Sequence, residues 1–387
     1  MDFFEFFSIE KKDEYLPLLE KAEADCKTHG DEIFDFERHG IFTYTSPHIA
    51  EIAAEAKKDP LDRLYCYFLA EVLSTKNKAL VASASQPKEK GVSEKYDFLP
   101  MFGLLWHIDG MVEGLRARGV DSDVIYLTKN MFENQLGDFI LLNHRYGISD
   151  YVTWLEGFLE NRLLRVGRFN FERRKLGGKF VILKNGNTLV PAPDGVKFHR
   201  SGRVFGSVGC LDEDGAFTAS FTEDSGAYLV YEIENGICKN TVKRLPKSEW
   251  EVFLTPESDV IDVHIPTGGP LEYENNTADL MRGFELINRC FGGVYKAFHL
   301  HSWLLEPELP RLMGKTTNLT RFCSRFTLYP GKSGGEEVFE YLYNLGEVPP
   351  LEQLEEKSSF QRSVKKYLLD GNHFYGGHGV MLPIDLK

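Results

Sequence analysis

VIDVHIPTGGPLEYENNTADLMRGFELINRCF, residues 260–291, changes periodicity midway, and that change decides the fold. VIDVHIP alternates apolar and polar residues, the period of a strand. NTADLMRGFELINRCF carries Leu280, Phe284, Ile287 and Phe291 on one helical stripe. Just beyond it VYKAFHLHSW (294–303) alternates again. A strand–helix–strand unit of this length implies two parallel strands joined by a right-handed crossover.

The alternation also assigns faces. An apolar helix stripe must pack on an apolar face, so Ile261, Val263, Ile265, Phe298 and Leu300 should lie under the crossover helix. Asp262, His264, His299 and His301 then share the other face if the strands are neighbours. A carboxylate and three imidazoles together make a credible polar site. His264 stands at the C-terminal end of its strand, where ligands of α/β sheets bind. In the turn, Gly268 and Gly269 serve a sharp reversal, or let backbone amides approach a phosphate at the N-terminus of the next helix. Asn276 or Thr277 is the expected cap of that helix.

Working outward, residues 1–160 read as helical, with amphipathic runs such as PHIAEIAAEAKKDPLDRLYCYFLAEVLST broken near Pro60. From 162 to about 255 the chain is dense in turn signals (KNGN, PDGV, RSGR, DEDG, EDSG, ENGI), with short alternating runs between them. No helix follows these glycine turns, so they read as hairpin turns and not phosphate loops. The last third alternates again: PELPRLM reads as a short helix, NLTRFCSRFTLYP as a strand, and VFEYLYNL and SSFQRSVKKYLLDG as helices. The fold class is therefore α+β, a helical N-terminal domain followed by a mixed β-sheet domain with helices packed on it. The expected domains are 1–160 and 161–387, with 175–250 hairpin-rich.

Composition narrows the functions. The formal net charge of −13 over 387 residues excludes a global positive field for nucleic acid or an anionic membrane. Within that acidic chain, RLLRVGRFNFERRK gathers Arg162, Arg165, Arg168, Arg173, Arg174 and Lys175. Two readings fit it, a charged strand edge and a seat for an anionic cofactor tail. The six cysteines form no CxxC pair and read as reduced thiols, which implies a cytoplasmic protein. The N-terminus lacks a signal-peptide pattern, and no apolar run is long enough to span a membrane. GxxxxGK[ST] is absent, which argues against a P-loop ATPase, and Ser302 stands in HSW and not between glycines, which argues against a serine-hydrolase elbow there.

GRFNFE (167–172), DGVKFHRSGRVFGSVGCLDEDGAF (194–217), VHIPTGGPL (263–271), HSWLLEPEL (301–309) and TNLTRF (317–322) occur in that order. Together they resemble a group of bacterial acyltransferase-like proteins with a helical N-acyltransferase N-terminal domain and a GNAT-like C-terminal domain. The resemblance covers most of the chain and is densest from about 162 to 380. It implies a sheet in which two parallel strands part to admit acetyl-CoA or another acyl-CoA, with the pyrophosphate at the next helix. Where such folds carry (R/Q)xxGx(G/A), this chain has TGGPLEYEN.

The activity implied is acyl transfer to an amine of a small-molecule or peptide acceptor, with no nucleic acid, membrane or metal involved. Such transfer needs a base, donors to the thioester carbonyl and a donor to the leaving thiolate. The catalytic candidates are His264 and His301 as base and acid, Asp262 setting a tautomer, Ser302 as thiolate donor and Glu172 as a second base. Ile265, Thr267, Gly268, Gly269, Asn276 and Thr277 are the candidates for cofactor binding. Two alternatives stand beside this reading. One is a metal-dependent enzyme using His264, His299 and His301. The other is a non-catalytic GNAT-like binding protein.

Overall fold

The computed structural model describes residues 2–88, 91–346 and 348–383; the last four residues of the expected 161–387 domain lie outside them. The chain divides into two compact units, Met1–Val166 and Gly167–Lys387.

The first unit is helical: α1 (Phe3–Phe7), α2 (Leu16–His29), α3 (Ser46–Ala56), α4 (Pro60–Ser74), α5 (Lys78–Ala84), α6 (Glu94–Leu105), α7 (Ile108–Ala117), α8 (Ser122–Lys129), α9 (Met131–Asn143) and α10 (Val152–Leu159), then strand β1 (Leu163–Val166). The break near Pro60 is the start of α4. Pro60 occupies the first turn, where its missing N–H costs nothing, and Asp59 accepts a hydrogen bond from Leu61 N. α4 buries Tyr65, Phe68, Leu69, Val72 and Leu73, and α6 buries Phe98, Leu99, Met101, Phe102 and Leu104. Gly103 lets the two helices touch, since a methyl group there would lie 3.0 Å from the Cys66 carbonyl oxygen. Among the described residues no helix is long and apolar enough to cross a membrane.

The second unit holds β2 (Phe169–Lys175), β3 (Phe180–Asn185), β4 (Thr188–Pro193), β5 (Val196–Phe198), β6 (Phe217–Ala219), β7 (Thr222–Glu223), β8 (Ala227–Glu234), β9 (Ile237–Pro246), β10 (Glu251–Leu254), β11 (Asp259–His264), β12 (Phe298–Ser302), β13 (Thr327–Pro330) and β14 (Gly377–Met381). Its helices are α11 (Tyr273–Cys290), α12 (Leu309–Met313), α13 (Asn318–Cys323), α14 (Glu337–Tyr343) and α15 (Ser359–Leu369). The main sheet runs β2-β11-β12-β14-β13, and the hairpin segment forms β10-β3-β4, β5-β6 and β7-β8-β9. β11 and β12 are parallel, while the other main-sheet pairs named here are antiparallel.

The two faces of the main sheet are covered differently. α11 lies on one: Leu280, Leu286 and Ile287 are buried, the Phe284 and Phe298 rings are 5.5 Å apart, and Gly283 meets the Phe171 ring. On the other face, Val260, Ala297, Tyr329 and Val380 join Phe180, Ile182 and Phe198 of the hairpin segment in one apolar cluster. Each large apolar side chain so buried stabilises by about 1.5–3 kcal/mol.

Three sequence expectations change. NLTRFCSRFTLYP is not one strand. Thr317 Oγ1 accepts from Thr320 N and starts α13, whose Phe322 ring stacks on Phe169 at 5.5 Å, and only Thr327–Pro330 is extended. α11 begins at Tyr273, so Asn276 and Thr277 do not cap it; Thr277 Oγ1 donates back to the Tyr273 carbonyl within the helix. β14, which the sequence reading lacked, inserts between β12 and β13.

Candidate active site

The parallel pair β11–β12 is in register at only two positions, Ile261 with Phe298 and Asp262 with His299. Beyond them each strand keeps only its other partner. β11 continues to His264 opposite Asn170 of β2, and β12 continues to Ser302 opposite Gly377 of β14. The two strands therefore part at Asp262 and His299. The β11–β12 pairing goes no further than these two positions.

Alternation brings Asp262 and His299 to the same face at the point of parting, both almost fully buried. Asp262 Oδ1 lies 2.7 Å from His299 Nδ1, and Arg174 of β2 donates to Asp262 Oδ2 at 2.9 Å. His299 Nε2 lies 3.1 Å from Nδ1 of His378, on β14. His264 Nε2 is 3.0 Å from Glu172 Oε2 but 3.9 Å from Asp262 Oδ2. Asp262 is thus bonded to His299, and Glu172, its register partner on β2, is bonded to His264. This corrects the expectation that Asp262 sets the tautomer of His264 or His301.

His301 stands opposite His378 in the β12–β14 pair, with ring centroids 4.5 Å apart. The Tyr329 ring stacks on His378 at 5.1 Å from the next strand. A methyl group on Gly376 would lie 3.2 Å from Glu337 Oε2 and 3.6 Å from His301 Nε2, so α14 brings a carboxylate to the same corner. Ser302 ends the row, its Oγ accepting from Leu304 N at 3.1 Å and starting the next turn.

Electrostatics follow from this packing. Burial alone would raise the Asp262 pKa, but His299, then His264 and Arg174, hold it well below the usual carboxylate range. The protein around His378, with His299 and His301 beside it, pushes its pKa down to about 2. Enclosure lowers the His301 pKa as well, against the pull of Glu337. Burial raises the Tyr329 pKa. The face is built to hold one carboxylate charged and to keep His378 neutral.

A second cluster lies at the N-terminus of α11. Gly268 and Gly269 take φ of 80° and 73°, conformations that suit glycine. Arg168, from the arginine-rich stretch, donates to the Gly269 carbonyl at 3.3 Å. Arg325 donates to the Tyr273 carbonyl at 3.4 Å and to Thr277 Oγ1, and its guanidinium stacks 3.9 Å from the Tyr273 ring centroid. Arg321 lies over the same ring at 4.2 Å. Nε and one terminal nitrogen of both Arg168 and Arg325 are buried without a hydrogen-bond partner. Three guanidinium groups at a helix N-terminus suit an anion. Thr267, Gly268 and Gly269 are exposed, Ile265 and Thr277 half-buried, and Asn276 buried.

The histidine trio of the metal-dependent alternative does not gather as a ligand set among the described residues. Among the described residues, the atoms close enough to share an ion belong to Glu172, Asp262 and His264, within 4.8 Å of one another. Those groups already bond to neighbours, and the Arg174 guanidinium on Asp262 opposes a second cation. Of the residues named from sequence, Asp262, His264, Glu172, His299 and His301 lie on one sheet face. Sequence reasoning missed His378, Glu337, Arg321 and Arg325. The signal for His378 was the lone histidine of GGHGVM, where three glycines hid a short strand.

A model of the GNAT-like C-terminal domain matches residues 163–381. No curated protein sequence matches the chain. Among solved structures, an acyltransferase in complex with decanoyl-CoA and teicoplanin aligns with a TM-score of 0.61 at 16% identity, over 91% of this chain and 88% of that one. A point mutant of an acyltransferase in complex with octanoyl-CoA aligns with a TM-score of 0.61 at 15% identity, over the same shares. The acyltransferase in complex with decanoyl-CoA gives 0.60 at 16%, over 92% of this chain and 88% of that one.

Proposed function

The chain belongs to the GNAT-like C-terminal domain family, and from that premise we propose that it is an acyltransferase. It moves an acyl group from acyl-CoA to an amine of a small-molecule or peptide acceptor. The observation that carries this reading is the parting of β11 and β12 beyond Asp262 and His299, because an opened parallel pair leaves an extended slot between two strands for a pantetheine arm. The acyl-CoA complexes of the similar folds support it. The helical first unit is then the N-acyltransferase N-terminal domain.

In this reading the CoA phosphates sit at the N-terminus of α11, on Arg168, Arg321 and Arg325 together with the amides of Thr267, Gly268 and Gly269. Ile265 lines the start of the gap, and Asn276 and Thr277 lie in the first turns beneath the phosphates. The thioester carbon lies by the parting point, over the polar face. The amine attacks that carbon, the C–S bond breaks, and the thiolate leaves. One proton must pass from the nitrogen to the protein and one must reach the sulfur. His264, paired with Glu172, and His301, beside Glu337, are the candidates for base and acid. Ser302 is a candidate donor to the sulfur.

The test is binding and then turnover. Octanoyl-CoA and decanoyl-CoA at 100 times their dissociation constants should stabilise the full chain by about 2.7 kcal/mol, read as a thermal shift. Free CoA should then appear only with an amine present. Absence of any shift with acyl-CoA would remove this function, while a shift without CoA release under a broad amine panel would leave a binding protein.

A further inference from the structure

The row Asp262–His299–His378 has a definite polarity. Asp262, held ionised, can only accept, so His299 Nδ1 at 2.7 Å must carry the proton. In the neutral ring His299 Nε2 is then bare, and His378 Nδ1 at 3.1 Å must donate to it. The remaining nitrogen, His378 Nε2, is left with a free lone pair. It faces Gly331, where a methyl group would lie 2.9 Å from it and 3.8 Å from His301 Nε2. One carboxylate thus fixes the tautomers of two rings in series, across β11, β12 and β14.

We propose that Asp262, His299 and His378 form a two-step proton relay that receives the acceptor amine's proton at His378 Nε2 and leaves the positive charge on His299. The inference rests on the acyl-transfer reading above and gives the base role to His378, leaving His264 and His301 as candidates for the acid. The N–H bond of the attacking amine breaks and Nε2–H of His378 forms. The Nδ1–H of His378 passes to His299 Nε2. His378 ends neutral in its other tautomer, and His299 ends as an imidazolium directly against Asp262. No other reactant is needed. A ring enclosed by protein can in this way accept a proton without keeping the charge. Arg174 balances the resting carboxylate. The other titratable groups facing the row are Glu172 and His264 at one end, and His301, Tyr329 and Glu337 at the other.

Histidine-ring ¹⁵N spectra of the full-length protein test the relay without any substrate, with signals assigned from His299→Gln and His378→Gln. Wild type should show His378 protonated at Nδ1 and bare at Nε2. Asp262→Asn, whose amide can donate to His299 Nδ1, should reverse both rings and put the proton on His378 Nε2. A His378 already protonated at Nε2 in wild type, or unmoved by Asp262→Asn, overturns the proposal. In turnover with octanoyl-CoA and primary amines, Asp262→Asn and His378→Gln should lower kcat about 100-fold or more, with octanoyl-CoA affinity retained. If wild type binds no octanoyl-CoA, the acyl-transfer reading fails while the spectra still decide the tautomers. If wild type transfers and His378→Gln keeps its kcat, the relay fails and the reading stands.

Discussion

Arg325 shows how much one side chain can contribute at the mouth of the gap. Its guanidinium spends one nitrogen on the Tyr273 carbonyl and Thr277, and turns buried, unpartnered nitrogens toward its surroundings. A charged hydrogen bond contributes about 1.5–3 kcal/mol. Arg325→Ala should therefore weaken octanoyl-CoA binding about tenfold or more, measured by titration calorimetry, with an unchanged circular dichroism spectrum. The salt dependence of binding should also flatten, because one fewer cation meets the phosphates. An unchanged dissociation constant would move the phosphates elsewhere.

At this scale the sequence was readable wherever strand alternation sufficed. Asp262 and His299 were placed on one face by parity alone, and their 2.7 Å contact lies there. Bonding between strands was not readable. Parity cannot tell that Glu172 takes His264 while Asp262 takes His299, since that choice depends on the antiparallel register of β2. Arg325 was hidden because α13 read as a strand, and a strand would have sent its neighbours to alternate faces.

Elements with their own turn chemistry or long periodicity were legible: the hairpin segment, α11, and α15, which opens with a Ser358–Gln361 capping box. β14 has neither, being five residues with glycine at 377 and 379, and glycine weakens a strand pattern by offering no side chain to read. The packing of α11 makes a sharper test. A Cβ on Gly283 would stand 2.5 Å from Cζ of the buried Phe171, on the strand that carries Glu172 and Arg174. Gly283→Val should destabilise by about 1–3 kcal/mol through overpacking, read as a lower denaturant midpoint. An unshifted midpoint would mean that α11 does not press on β2 as described.

For the whole molecule, the buried histidine of this face ties stability to pH. His378 has its pKa lowered from 6.5 to about 2, by burial first and then by its neighbouring imidazoles. Its folded pKa is below its unfolded value, so below about pH 6.5 the unfolded chain binds a proton at this ring that the folded chain does not. Stability should fall with pH from there downward, by at most about 1.4 kcal/mol per unit for this one group. His378→Gln should lessen the fall between pH 6.5 and 5, measured by thermal melts at matched ionic strength. Equal slopes in the two proteins would mean that the ring is solvated.

β14 sits between β12 and β13, yet among the described strands it comes latest in the chain. During synthesis, β12 and β13 must wait with facing edges unpaired until residues 377–381 leave the ribosome. A nascent chain stopped before them would carry two open strand edges, which invite pairing with other chains, and would lack His378. The polar face is thus completed by a strand made after both of its neighbours, so chains interrupted before residue 377 should be recovered as aggregates and not as soluble protein that lacks only this corner of the site.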